Sequence, residues 1–316
     1  MAGVNGLRVG LRIPPCAPVD EVADAARQAE KLGFDDVWMP DSQTLWRDAY
    51  VALAGAAVRT ERIRLGTAVT NLVTRHPSVI AGAARTVAEL ARDRFVLGIG
   101  VGNSSVEPVG LRPSTSTKLR TGVVELREAA PGIPIHIAAT GPRNLAIAGE
   151  FGDGVILLAG ASQPLVTAAL ERITTAASGR ALPEVTVSAY CQVTDDIERD
   201  AQALKPVCAE LARRGGGAAL AAVGIDVNVP AHIPDVHPDL LHAMDWQHAV
   251  AVASAWISDA DAVRFAQEFC LYGTTDEIVS RLDGLRALGV SGVLLQHVGS
   301  YTLPYPLMEA LGEVLE

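Results

Sequence analysis

The chain has 316 residues, 49% of them hydrophobic and 20% charged, a globular composition with ample material for a buried core. Disordered and collagen-like chains are excluded, and despite a mean hydropathy of +0.25 no apolar run approaches the ~20 residues of a membrane span. The net charge of −10 argues against nucleic acid or an anionic membrane as a partner. Cys16, Cys191, Cys208 and Cys270 are far apart and form no CxxC, so neither a zinc site nor a disulfide framework is expected. A reducing cytoplasm is the simplest setting. The opening residues lack the basic and apolar regions of a secretory signal.

In chain order, Leu7–Ile13 reads as a strand. A helix follows over Val19–Leu32, whose apolar Val22, Ala25, Ala26 and Ala29 recur at helical spacing, and Gly33 ends it. Next come a strand at Asp36–Pro40, a helix over Asp48–Arg59 and a strand at Ile63–Val69. Pro77 opens a helix that leads to a strand at Arg94–Gly100. A helix near Thr117–Ala129 precedes a strand at Ile133–Ala139, and a helix from Pro142 precedes one at Gly154–Leu158. After a helix from Pro164 come the strands Val185–Val193 and Gly292–Gln296.

Eight largely apolar strands joined by helical crossovers predict a parallel sheet covered by helices, closed as a (β/α)8 TIM barrel. The long departure, Thr194–Leu271, reads as a helical insertion between strands seven and eight that lies over the mouth as a lid. The chain, 1–316, is then a single domain with 194–271 as insertion. Within it Trp246–Ser258 reads as a buried helix, and Gly215-Gly216-Gly217 leaves open whether the lid is mobile or tightly packed.

In such a barrel the working residues sit at the C-terminal strand ends. Strand two ends in Met39-Pro40-Asp41-Ser42, where Asp41 is either a turn cap or a ligand-facing acid. Strand three ends in Gly66-Thr67-Ala68-Val69-Thr70-Asn71, followed by Thr74-Arg75-His76-Pro77. In isolation, Arg75 would be a surface arginine and His76 a packed histidine. Strand four ends in Gly98-Ile99-Gly100-Val101-Gly102-Asn103-Ser104. This is GxGxG rather than the dinucleotide GxGxxG, so Gly100 and Gly102 fit a backbone that approaches a flat ring, with Asn103 and Ser104 as hydrogen-bonding groups. Strand five ends in Ala138-Ala139-Thr140-Gly141-Pro142-Arg143, either an ordinary glycine turn or a helix N-terminus that takes phosphate.

Together these strings resemble the luciferase-like flavin and deazaflavin oxidoreductases, most closely the coenzyme F420-dependent branch that includes methylenetetrahydromethanopterin reductase. The likeness runs from about residue 8 to 160 and again over about 271–303. It implies an F420 site, with FMN as the alternative cofactor, and a homodimer. Asp41 and Ser42 would meet the ring system. Ala68-Val69 would be a non-proline cis peptide whose bulge, with Thr70, presses on the central ring. Arg75 would face an anionic group of the cofactor, with His76 beside it. Ala139, Thr140, Gly141, Pro142 and Arg143 would hold the phosphate, and Gly160, in Ala159-Gly160-Ala161, would complete that loop.

Relatives that oxidise alcohols or sugar phosphates carry a His and a Glu where this chain has Ser42 and Asn103, and a Lys where it has Ala161. The base that alcohol oxidation needs is therefore missing. The expectation is a reductase that delivers hydride to a C=N or C=C bond of a small organic substrate. An FMN-dependent monooxygenase and a non-catalytic flavin-binding protein are the alternatives. No catalytic residue is assigned; Asp48, Glu107 and the histidines from His232 to His248 are unranked proton donors. The histidine spacing fits no metal site.

Overall fold

The computed structural model describes residues 6–315. The strands are β1 (Arg8–Arg12), β2 (Asp36–Met39), β3 (Arg64–Thr67), β4 (Thr70–Asn71), β5 (Phe95–Gly100), β6 (Ile135–Ala139), β7 (Gly154–Leu157), β8 (Glu184–Val193), β9 (Leu271–Gly273) and β10 (Gly292–Gln296). Eight of them pair in parallel in the order β1-β2-β3-β5-β6-β7-β8-β10, and β10 returns to β1, which closes a (β/α)8 barrel. All eight expected strands are present. The third ends two residues early: β3 stops at Thr67, and the two-residue β4 resumes pairing with β5 beyond Ala68-Val69.

Helices α1 (Val19–Lys31), α2 (Ala49–Arg59), α3 (Pro77–Leu90), α4 (Ser116–Ala129), α5 (Pro142–Phe151) and α6 (Gln163–Ala177) follow successive barrel strands. Local chemistry fixes their ends. Asp48 accepts the Tyr50 and Val51 N–H groups at the start of α2, and the Thr115 hydroxyl caps α4. Gly33, at φ +85°, follows the end of α1. The apolar stripe Val22, Ala25, Ala26 and Ala29 of α1 lies in the main core, between barrel and helices.

Strand alternation divides that core from the barrel interior. Val9, Leu11, Val37, Met39, Leu97 and Ile99 face the helices. Trp38, Val96, Ala138, Ile156 and Leu294 form a separate apolar layer inside, beneath Ala68 and Val69. Under it, at the N-terminal end, lies a charged layer. Arg64 reaches Asp36 at 2.5 Å and Glu184 at 3.0 Å, and Arg8 reaches Glu184 at 2.6 Å. His136 stands edge-on to Trp38, with its Nδ1 unpartnered. Burial pushes this imidazole down to about 4.

Between β8 and β9 lie α7 (Ile197–Asp200), α8 (Lys205–Leu211), α9 (Gly217–Ala222), α10 (Trp246–Ala253) and α11 (Asp259–Phe269); α12 (Thr275–Ala287) precedes β10, and α13 (Tyr305–Leu315) follows it. This segment is tightly packed, with its own apolar cluster that includes Leu204, Cys208, Leu220, Ile225, Leu240 and Phe265. One expectation fails here. Trp246–Ser258 is not one buried helix, because α10 stops at Ala253 and buries only Ala249 and Ala253. Between α8 and α9 the helix kinks at Gly215, φ +92°. The segment meets the barrel at discrete points: the Ala161 N–H donates to the Phe269 carbonyl (2.8 Å), the Ser300 hydroxyl to the Leu241 carbonyl (2.8 Å), and Arg214 pairs with Glu107 (3.1 Å).

Candidate active site

The C-terminal ends of β1, β2, β3, β5, β6 and β7 surround a cavity of about 230 Å³. Its floor is the step between β3 and β4, where the Ala68–Val69 peptide bond is cis. A Cβ on Gly100 would stand 2.8 Å from Val69 Cγ2, and one on Gly98 would stand 1.9 Å from the Thr67 carbonyl oxygen. The glycines of β5 therefore let two strand ends approach closely, and Val69 packs on the apolar layer inside the barrel. The result is a smooth apolar floor suited to a flat ring.

Beside the floor a polar wall begins at Asp41, which is 3% exposed. Its carboxylate accepts hydrogen bonds from Thr70 Oγ1 at 2.8 Å and from Arg75 Nε and Nη2 at 2.8 and 3.0 Å. Arg75 also binds Asp48 at 2.8 Å and lies over the Tyr50 ring. Ser42 and Ser104 share a hydrogen bond of 3.1 Å, and Asn71 ties Ser105 to the following turn. Across the mouth, α5 begins at Pro142 after Gly141, which gives no side-chain cap, so no capping side chain meets its first N–H groups.

The structure brings Asp41, Ser42, Ala68, Val69, Gly100, Gly102, Asn103, Thr140 and Gly141 to this one cavity. Thr70 stands just behind, on Asp41. The other candidates stand outside the cavity lining. Arg75 is not free for an anionic cofactor group, because Asp41 and Asp48 already neutralise it and hold its guanidinium above its ordinary range. His76 caps α3 through Nδ1 and lines a separate surface depression with Lys118 and Glu125. Ala139 faces outward into the main core, and Ala138 takes its place at the cavity. Pro142 and Arg143 are exposed beside the cavity rather than in its lining. Gly160, at φ +61°, packs on the Phe269 carbonyl, so this loop holds the helical segment rather than the mouth.

Known proteins share this architecture. The family model of the luciferase-like monooxygenases matches residues 5–120 and 115–292. The chain belongs to the luciferase-like family. A 5,10-methylenetetrahydromethanopterin reductase from Methanolobus tindarius is 28% identical to the luciferase-like chain over 315 residues, covering 90% of it and 92% of the reductase. An F420-dependent glucose-6-phosphate dehydrogenase from Nakamurella multipartita is 30% identical over 220 residues, covering 57% of this chain and 65% of the dehydrogenase. The solved coenzyme F420-dependent tetrahydromethanopterin reductase from Methanopyrus kandleri superposes with a TM-score of 0.75 at 23% identity over 97% of both chains, a likeness of fold. The luciferase-like chain is an oxidoreductase.

Among the cavity residues of this luciferase-like oxidoreductase that escaped the strand-end motifs is Arg12. Arg12 ends β1 and lines the mouth, stacked on Trp46 with its Cζ 5.4 Å from the ring centroid. The signal was present in Arg8-Val9-Gly10-Leu11-Arg12. Alternation turns Val9 and Leu11 to the helices and both arginines to the barrel interior. Of the unranked proton donors, Asp48 is engaged by Arg75 and by α2, Glu107 by Arg214, and His242 by Asp239 at 2.9 Å. Among the described residues no helix is long and apolar enough to cross a membrane, and no cluster of ligating side chains could hold a metal ion.

Proposed function

We propose that this oxidoreductase uses reduced coenzyme F420 to deliver hydride to a C=N or C=C bond of a small organic substrate. The residues fit the group. The floor over Val69 offers a flat apolar bed, and the uncapped start of α5 offers N–H donors for a phosphate. When bound, the reduced cofactor supplies a hydride, and the acceptor is completed by a proton from water or an acid. Asp41, Ser42, Ala68, Val69, Thr70, Gly100, Gly102, Asn103, Thr140 and Gly141 would hold it, with Pro142 and Arg143 at the phosphate end.

The observation that carries the reductase reading is the state of Asp41. It is the one carboxylate in the cavity lining, and that lining contains no histidine. Both of its oxygens are bound by Arg75 and Thr70, so no base stands ready to take an alcohol's proton. Spectrophotometric titration with coenzyme F420 and with FMN, then turnover of the reduced cofactor with enones and imines, tests the assignment. Tight binding of F420 and acceptor-dependent oxidation are expected. Robust reduction of oxidised F420 by alcohols or sugar phosphates would overturn the direction, and preferential binding of FMN would overturn the cofactor.

We further infer that 194–271 acts as a lid on a single-domain barrel, and that two copies associate. Val51 and Val58 of α2 and Val79 of the adjacent α3 are exposed apolar side chains, which supports a homodimer.

A further inference from the structure

We propose that the substrate is a monoanion, an unsaturated or imino carboxylic acid, whose carboxylate is received by Arg12. The inference rests on the reductase reading for its hydride acceptor, but the anion site stands on its own observations. Among the residues lining the cavity Arg12 is the one cation, and it makes no salt bridge or side-chain hydrogen bond among the described residues. Interior arginines elsewhere differ: Arg64 holds Asp36 and Glu184, and Arg75 holds Asp41 and Asp48. The titratable groups around Arg12 do not balance it. Burial pushes Tyr190 up to about 12, and burial pushes His297 down to about 4, so both are neutral at pH 7. A half-buried guanidinium is thus left without a partner at the edge of a binding cavity, where an anionic ligand would supply one.

The surroundings also select the kind of anion. The Arg12 guanidinium lies over Trp46, which is itself fixed by its Nε1 donating to the Ser300 carbonyl at 2.6 Å and by edge contact with His242. A planar fork held this way matches a carboxylate through two parallel N–H bonds. A phosphate dianion would call for further cations, which the lining lacks. Arg12 ends the first barrel strand and Gly141 follows the fifth, so the carboxylate anchor stands across the mouth from the start of α5. The reacting bond is thereby held over Val69, between the two.

Cinnamate and cinnamamide, which share shape and differ in charge, test this by tryptophan fluorescence titration of the full chain with and without bound coenzyme F420. The acid is expected to bind at least tenfold more tightly than the amide, with the ratio falling as salt rises. Arg12→Gln should bring the ratio to about one while coenzyme F420 binds within twofold of wild type. A wild-type ratio near one overturns the proposal, and so does a ratio that Arg12→Gln leaves unchanged. A variant that loses cofactor affinity but keeps the acid preference assigns Arg12 to the cofactor instead. Should Arg12→Gln fail to fold, Arg12→Met, which keeps the apolar stem on Trp46, is read by the same criteria, and the wild-type ratio still decides. Failure of F420 to bind at all would remove the reductase reading without touching the acid-to-amide ratio.

Discussion

Charge environment governs two buried side chains, Asp41 and His136. Arg75 is the ion-pair partner of the buried Asp41, and removing one member of such a pair leaves an uncompensated charge. Arg75→Ala should therefore cost about 3 kcal/mol in chemical denaturation, and Asp41→Asn in the same background should recover part of it. At the other end of the barrel His136 is neutral because burial outweighs the carboxylates around it, and Arg64 opposes its protonation further. Its folded value lies below its unfolded one, so the unfolded chain takes up the proton first. Stability should be intact above pH 6.5 and fall as pH drops toward 4, by roughly 3 kcal/mol from this group. Urea melts across that range should show the slope, and His136→Asn should flatten it. The arginines and carboxylates were all visible in the sequence, but their pairing was not. Arg75 stands beside His76 in the chain, yet its partner Asp41 lies 34 residues earlier, on another strand end.

At the scale of the element, the step from β3 to β4 and the start of α5 make separable predictions. Gly141 has φ −82° and open space where a Cβ would point, so any side chain fits there without strain. Gly141→Leu should keep thermal stability within about 0.5 kcal/mol yet lower cofactor affinity at least tenfold, as read by fluorescence titration and calorimetry. Gly98→Ala should instead prevent the barrel from closing, since its methyl would meet the Thr67 carbonyl backbone. The strand and helix succession and the helix-end signals Gly33 and Pro77 were legible because they rest on local periodicity and turn residues. The step at Ala68-Val69, by contrast, was expected only from the family resemblance. Which of two neighbours faces the cavity was not legible, as Ala138 and Ala139 illustrate. Both are small and apolar, so the strand's phase carries no mark in the sequence. The helical segment was legible only as an interruption. Its alanine-rich helices are held by packing among distant positions such as Leu204, Ile225 and Phe265.

At the scale of the whole molecule, the exposed valines of α2 and α3 predict self-association. Size-exclusion chromatography with light scattering should give twice the 33.1 kDa chain mass, and Val58→Glu, 65% exposed in the single chain, should yield monomers that still melt cooperatively. The polar contacts across the seam between barrel and helical segment include Ala161–Phe269, Ser300–Leu241 and Glu107–Arg214. Two of these three use backbone carbonyls, which every sequence possesses. A lineage could thus exchange the segment wholesale and keep the stitching, as a tool keeps its handle when the head is changed. Transplanting residues 194–271 from a relative should therefore redirect acceptor choice while the cofactor dissociation constant of the recipient barrel stays put.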